Sequence, residues 1–282
     1  MTYITKTNLF TGPRVGSQMT QYAGMYSVAK RMNAEFVLLE EHMHDVVVDG
    51  HLFDAFSIPN RIVSKNDIQF SPFTLREVVL DDRVFSLPTN QNWDIGGWFN
   101  TYRYFHEYKE DIQTLFTFKD EIRSVAIDNI NKIRDNEPYP LVSLHVRRGD
   151  YLTHFSLVMG LRYYQDALSV FYDKFDGNYF KLVVFSDDIP WCKANIMGEN
   201  VIYVENNTNY VDMCMLSLCD HNIAANSGFS WWGAYLNTSP TKLVVCPYQY
   251  IGALDREHQY INGTYFPDNW LPIANHKYES TK

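Results

Sequence analysis

Two adjacent arginines, Arg147 and Arg148, follow directly on the apolar run Leu141-Val142-Ser143-Leu144-His145-Val146, and Gly149 and Asp150 come after them. Such a run makes a fully buried strand of a parallel sheet. In open α/β sheets ligands bind in the crevice outside the carboxyl ends of the strands, so His145, Arg147, Arg148 and Asp150 stand where a ligand would sit. A guanidinium is a planar, permanently charged fork that matches phosphate oxygens in pairs. Two of them at one strand end suit a diphosphate. The plainer reading of the same residues is an Arg–Asp pair that closes a strand turn. The Arg148-Gly149-Asp150 tripeptide also imitates a cell-adhesion signal, but it is too short to carry meaning.

Two further strand ends raise the first reading above the second. Lys181-Leu182-Val183-Val184-Phe185 runs into Ser186-Asp187-Asp188, which places carboxylates at a second strand end. Asn222-Ile223-Ala224-Ala225 runs into Asn226-Ser227-Gly228-Phe229-Ser230, small polar residues between a strand and a helix start. Unpaired backbone N–H groups and hydroxyls make such a turn a phosphate seat, although an ordinary capped helix start has the same composition. Asp212, in a helix expected over 209–219, can pair with the edge of a base or cap its own helix. Arginine, hydroxyls, a helix N-terminus and carboxylates converging on one sheet edge describe a nucleotide-diphosphate pocket that needs no metal or other cofactor. The chain has no Asp-x-Asp triplet, which disfavours the metal-dependent kind of nucleotide-sugar enzyme.

Weaker signals lie nearer the N-terminus. Gly12-Pro13-Arg14-Val15-Gly16-Ser17 is turn-rich with Ser17 as a candidate N-cap, and Gln18 to Met32 has helical spacing at Met19, Tyr22, Ala23, Tyr26, Ala29 and Met32. A glycine loop that opens a helix can present N–H groups to an anion, which brings in Gly16, Ser17 and Gln18. The Gly-x-Gly-x-x-Gly spacing of a dinucleotide site is absent. Glu40, Glu41, His42, His44, Asp45, Asp49 and His51 could be imagined as a metal site, but a solvated loop with a few histidines is the simpler reading. Asn92-Trp93-Asp94-Ile95-Gly96-Gly97-Trp98 has a composition that suits contact with sugar faces, and core packing accounts for its aromatics equally well.

The elements that must position these residues are clearest beyond Pro140. Strands over 141–147, 181–185, 201–204, 222–225 and 243–246 alternate with helices over 160–174, near Trp191, 209–219 and 229–236, the pattern of a doubly wound parallel sheet. Before it come a short strand, Glu35-Phe36-Val37-Leu38-Leu39, a blurred stretch from 40 to 100, and a mostly helical stretch from 102 to 134. Asp135-Asn136-Glu137-Pro138-Tyr139-Pro140 breaks that stretch and places a domain boundary there, giving domains 1–136 and 137–282. The tail after Tyr248 has little regular pattern. At 282 residues the chain can bury two sizeable cores. A hydrophobic share of 46% and an aromatic share of 16% exclude a disordered chain. A net charge of −9 without any Lys/Arg run argues against a nucleic-acid footprint or an anionic membrane surface. No signal peptide or transmembrane run is visible, so a cytoplasmic location is expected, with the four cysteines as reduced, buried thiols.

Taken together, His145-Val146-Arg147-Arg148-Gly149-Asp150-Tyr151, Phe185-Ser186-Asp187-Asp188 with Trp191-Cys192, and Asp212-Met213 through Ala225-Asn226-Ser227-Gly228-Phe229-Ser230-Trp231-Trp232-Gly233 resemble the successive motifs of the α-1,2-fucosyltransferase family, glycosyltransferase family eleven. Val15-Gly16-Ser17-Gln18-Met19-Thr20-Gln21-Tyr22-Ala23 is similar to the family's first motif, and Tyr265-Phe266-Pro267-Asp268-Asn269-Trp270 to its last. The resemblance runs from about residue 12 to 272 and is weakest between 40 and 135. It implies an α/β, GT-B-type fold, two Rossmann-like domains facing a central cleft: an acceptor-side N-terminal domain and a donor domain that binds GDP-fucose. It implies metal-independent transfer with inversion to a galactose 2-hydroxyl, with no cofactor besides the donor substrate. Its partners are then a nucleotide sugar and a glycan acceptor, and peripheral association with a membrane-bound acceptor is compatible with it.

Carried over residue by residue, Arg147 resembles the arginine that holds the β-phosphate and stabilises the departing GDP. His145 and Asp212 resemble contacts to the nucleoside, with Asp212 reading guanine. Ser227, Gly228 and the Phe229 and Ser230 backbone resemble the phosphate turn, beside Asn226 and Asp187. Arg148 and Asp150 are expected to brace the motif, and Asp150 is the one candidate for a general base. The sequence departs from the family at Arg14, where the family has its first loop glycine, at Ser17, where it has Asn, and at Gly228, where it usually has a second serine. Those departures keep two other readings open: the same chemistry with another GDP-hexose or GDP-6-deoxyhexose, and a non-catalytic glycan- or nucleotide-binding module.

Overall fold

The computed structural model describes residues 1–11, 14–43, 50–76, 80–153, 158–176, 179–250 and 264–275. The chain divides into two units, Met1–Lys119 and Asp120–Lys282, and each is built on its own sheet.

In the first unit the order is β1 (Tyr3–Thr5), α1 (Val15–Met32), β2 (Glu35–Leu39), the single turn α2 (Leu52–Ala55), β3 (Arg61–Val63), β4 (Ser71–Thr74), β5 (Trp93–Gly96) and α3 (Lys109–Leu115). The strands lie β3-β2-β1-β5-β4, and every pairing is parallel. Helix α1 starts before the expected Gln18: the extended backbone of Arg14 precedes it and no side chain caps it, so Ser17 is inside the first turn rather than the N-cap. Three strands emerge in the stretch that the sequence pattern leaves blurred. They are short, and β4 carries Pro72, which an edge strand tolerates because it need donate to one neighbour only. The stretch from 102 to 134 is not one helical run. Two 3-10 turns, Tyr102–Tyr104 and His106–Tyr108, precede α3, and the chain then extends through Phe118, which bridges to Phe56.

The second unit contains α4 (Asp120–Arg134), β6 (Leu141–Val146), α5 (Leu161–Lys174), β7 (Lys181–Ser186), α6 (Ile189–Asn195), β8 (Val201–Tyr203), α7 (Asn209–Leu218), β9 (His221–Ile223), α8 (Gly228–Leu236), β10 (Val244–Pro247) and β11 (Leu271–Ile273). All pairings are parallel in the order β11-β10-β9-β6-β7-β8. Chain winding reverses between β6 and β9, so the doubly wound sheet expected from the alternation has its switch point there. β6 is buried at every position. Alternate side chains face opposite ways: Val142, Leu144 and Val146 pack against Tyr163, Tyr164 and Phe171 on one face, while Ser143 and His145 turn to the other. There Ser143 Oγ accepts from Asn222 Nδ2 at 2.7 Å.

The boundary expected at residue 136 lies instead at 119/120, ahead of α4. Polar ties hold that helix to the second sheet. Lys181 Nζ, at the start of β7, donates to the terminal carbonyls of Ile133 (2.8 Å) and Arg134 (3.2 Å), an effective C-cap. Arg134 pairs with Asp220 at 3.0 Å, and the other oxygen of Asp220 accepts the Leu141 N–H at 2.7 Å. The proline-rich break is therefore a turn between α4 and β6. The tail contributes β11, another edge strand with a proline, Pro272. No helix among the described residues is long and apolar enough to cross a membrane. All four cysteines are free and buried, and burial pushes the Cys192 thiol up to about 11 and Cys214 to about 12.

Candidate functional site

The two loops flanking the switch point bring many of the expected residues to one sheet edge. β6 delivers its two arginines into opposite environments. The guanidinium of Arg147 is held by Asp150 Oδ1 at 2.5 Å and Asp187 Oδ2 at 2.8 Å, and lies 5.5 Å over the ring of Tyr151. Arg148 is 5% exposed: its Nε donates to Asp188 Oδ2 at 2.9 Å, its guanidinium lies 4.2 Å over Trp191, and its backbone N–H donates to Asp187 Oδ1 at 2.8 Å. Adjacent carboxylates at the end of β7 thus hold adjacent arginines at the end of β6, because the parallel register sets Val146 opposite Ser186. Gly149 leaves room for this: a Cβ there would lie 2.6 Å from Asp187 Oδ2.

These contacts assign roles within the expected set. Arg147 presents the cation of the edge. Asp187, expected as a donor contact, is committed to Arg147 and to the Arg148 N–H, and Arg148 is a buried brace. Asp188 holds Arg148 and also caps α6 by accepting the Trp191 N–H at 3.1 Å.

His145 is 4% exposed, its ring 5.2 Å from Phe229 at the start of α8. Burial and the neighbouring Arg147 charge depress its pKa to about 3, so the imidazole is neutral. Its Nδ1 is buried without a hydrogen-bond partner among the described residues. A buried polar atom without a partner is costly, and a ligand at this edge would relieve it.

On the β9 side, Ser227 is the N-cap of α8, its Oγ accepting from Phe229 N at 3.4 Å, and Gly228 is the first residue of the helix. Asn226 is buried, and its carbonyl accepts from Tyr151 Oη at 3.0 Å, which ties the two loops together. Ser230 is 2% exposed and turns inward: its hydroxyl accepts from Ala225 N at 3.1 Å and donates to Ser227 O at 3.3 Å. What this turn offers an anion is the N-terminus of α8, where the first-turn N–H groups point out of the helix.

Asp212 stands in the first turn of α7, and Thr208 is the cap, accepting from Val211 N at 3.3 Å. The capping alternative for Asp212 therefore falls. Its Oδ1 accepts from Asn207 Nδ2 at 3.0 Å, and Asn207 Oδ1 in turn accepts from Asn129 Nδ2 of α4 at 3.2 Å. Burial raises the Asp212 carboxyl to about 6, against the pull of the Asn207 hydrogen bond.

The remaining expected residues belong to the other unit. Gly16, Ser17 and Gln18 all fall in the first turn of α1, and Gln18 is fully buried, its amide accepting from Leu52 N at 2.8 Å and donating to Gly50 O at 3.1 Å. Gln18 thus braces the start of α2. Of the residues imagined as a metal site, Glu41 accepts from Ser64 and Lys65, His51 caps α2, and His44, Asp45 and Asp49 lie outside the described residues.

Sequence reasoning placed Asp188 among the carboxylates of this edge but missed Tyr151 and Trp191 as site members, although the motifs contained them. It also missed Asn207 and Asn129, the latter in a helix whose period says nothing about a partner 78 positions away.

The model of the glycosyl transferase family 11 matches residues 3–271. The chain belongs to that family. An alpha-1,2-colitosyltransferase of Escherichia coli is 30% identical, over 83% of this family 11 chain and 88% of its own length. Galactoside alpha-(1,2)-fucosyltransferase 2 of Mus musculus is 27% identical, over 79% of this chain and 66% of that protein. Among solved structures, fucosyltransferase NodZ from Bradyrhizobium aligns over 82% of this chain and 91% of its own with a TM-score of 0.53 at 14% identity. POFUT1 in complex with GDP aligns over 87% and 98% with a TM-score of 0.51 at 13% identity. These structures show the fold, and the family 11 chain has a GT-B-type α/β fold with two parallel sheets.

Proposed function

We propose that this protein moves L-fucose from GDP-fucose to the 2-hydroxyl of a galactoside in a glycan or surface polysaccharide, with inversion and without a metal. The observation that carries the reading is Arg147. A guanidinium fixed by two carboxylates at the switch point of a doubly wound sheet, with the N-terminus of α8 on the neighbouring strand end, is a preorganised seat for a leaving diphosphate. The acceptor hydroxyl oxygen bonds to C1 of fucose from the face opposite GDP while the bond from C1 to the β-phosphate oxygen breaks; the hydroxyl proton passes to solvent, and Arg147 stabilises the negative charge that develops on the departing oxygen. His145 and Asp212 face the nucleoside, and the ionised Asp212 accepts the guanine N–H groups. Asp150 is engaged by Arg147 at 2.5 Å, and in this reading the rate rests chiefly on stabilising the leaving group.

In this reading the second unit holds the donor, the first serves the acceptor, and the protein works in the cytoplasm, with peripheral contact to any membrane-bound acceptor. The colitosyl transfer in the name of the E. coli relative favours one second reading, in which the same site takes another deoxyhexose carried on GDP. GDP release from a panel of GDP-sugars, with lactose or a type 1 disaccharide as acceptor and EDTA present, tests both. Turnover of GDP-fucose alone with an α-1,2 product is expected. Turnover of a different GDP-sugar renames the donor, and a requirement for added metal removes the metal-free mechanism.

A further inference from the structure

The carboxyl edge of the first sheet carries an arrangement that nothing above uses. β5 ends at Gly96, and two residues later Trp98 is 47% exposed. Both of its neighbours are in the left-handed region, Gly97 at φ 106 and Phe99 at φ 55. For a bulky residue such as Phe99 that is a strained conformation, which persists only where the surroundings enforce it. Here they do. Phe99 is 1% exposed, edge-on to Tyr104 at 4.9 Å, and lies so close to Gly24 of α1 that no Cβ would fit there. Gly97 sits on Leu75, where an added Cβ would lie 2.7 Å from the Leu75 Cβ. Its carbonyl accepts from the buried ammonium of Lys6 at 2.6 Å, and the same ammonium holds Asn8 Oδ1 at 3.0 Å at the end of β1.

The other tryptophan of the segment is different. Trp93 gives its indole N–H to Pro88 O at 2.9 Å and lies edge-on to Phe73. Trp93 is structure, whereas Trp98 is a large flat ring presented to solvent by a turn that strain and a buried charge hold rigid. Strain of this kind collects at ligand sites, and the carboxyl edge of a parallel sheet is where ligands bind.

We propose that Trp98 is the stacking platform for a pyranose ring of the acceptor glycan, with Asn8, linked through Lys6 to the Gly97 carbonyl of the same turn, available to the ring hydroxyls. The inference rests on the glycosyl-transfer reading and adds to it the residue that positions the acceptor. A charged nucleotide would call for cations, and the nearby ammonium of Lys6 is already spent on carbonyls and on Asn8. The C–H face of a galactoside needs a flat apolar plane with neutral hydrogen-bonding groups around it, which this turn supplies.

Trp98→Ala and Trp98→Phe test it by steady-state kinetics with GDP-fucose and lactose or a type 1 disaccharide. The alanine variant is expected to raise the acceptor KM about tenfold or more, the loss of an aromatic stack, while the donor KM and GDP affinity stay put. Phenylalanine should recover most of the loss. An unchanged acceptor KM, or equal shifts for donor and acceptor, overturns the proposal. If the wild type turns over no GDP-sugar at all, the functional reading has failed separately. Saturation-transfer NMR with lactose then decides: transfer to the sugar that disappears in Trp98→Ala sustains the platform, and equal transfer in both proteins, or none, removes it.

Discussion

The carboxyl edges of the two sheets are built from different materials. At the second sheet, charge is held by charge: Arg147 by Asp150 and Asp187, Arg148 by Asp188, around a neutral buried His145. At the first sheet the buried cation, Lys6, is consumed by carbonyls and Asn8, and what faces outward is an indole on a strained turn. On the proposed function, the contrast follows from what each ligand would ask of a protein. A departing diphosphate develops negative charge, and dipoles and cations already in place stabilise it without reorganising. A neutral sugar offers faces and hydroxyls, so a rigid surface of the right shape serves it better than charge does.

The largest test of that contrast is Arg147→Ala. Transfer should fall by roughly three orders of magnitude or more, since the charge-stabilising group is lost. GDP affinity should fall about 10- to 100-fold, the worth of one charge-assisted hydrogen bond or so. Calorimetric titration of GDP beside the transfer assay checks both. A variant that keeps GDP affinity would mean that the second edge does not work through this cation.

A smaller effect sharpens the nucleoside side. With its carboxyl raised to about 6, Asp212 is ionised above that pH and protonated below it. Guanine binding that needs the carboxylate should therefore weaken about tenfold per pH unit below 6, and Asp212→Asn should bind GDP more weakly at pH 8 with a flat profile. Stability carries the opposite signs. The native state holds a proton on Asp212 between about pH 4 and 6 that the unfolded chain lacks, so the cost of burying it disappears as pH falls. His145, depressed to about 3, contributes stability that is lost as pH drops below 6.5 toward 3. Removing the first should steepen the acid loss between pH 6 and 4, read from urea midpoints.

The smallest effect on binding is expected at the neighbouring arginine. Arg148→Met keeps the bulk over Trp191 but strips Asp188 of its cationic partner. It should destabilise the fold by about 2–3 kcal/mol, below the range for fully buried pairs because Asp188 remains partly exposed. GDP affinity should change by less than about threefold, as measured by thermal melts and titration. A large loss of affinity with unchanged stability would reverse the roles of the two arginines.

Much of the second unit is legible in the amino-acid sequence. Its helix and strand periods are local properties, and Asp, Asn, Ser and Arg after apolar runs mark strand ends through turn chemistry that acts over a few residues. The first unit is legible only in α1 and β2. Its other strands are three or four residues long, too short for a period, and one carries a proline.

By itself, then, the sequence determined which residues could carry the chemistry and at which strand ends they fall, because burial patterns and turn residues are written along the chain. Tertiary structure alone decided which of two identical neighbours, Arg147 or Arg148, is the more buried, because successive residues turn to opposite sides and each met a different carboxylate just after β7. It decided that Asp212 is tied through Asn207 to Asn129, and that α4 belongs with the second sheet. Each of those outcomes depends on a partner distant in sequence, and no local pattern encodes where such a partner will lie.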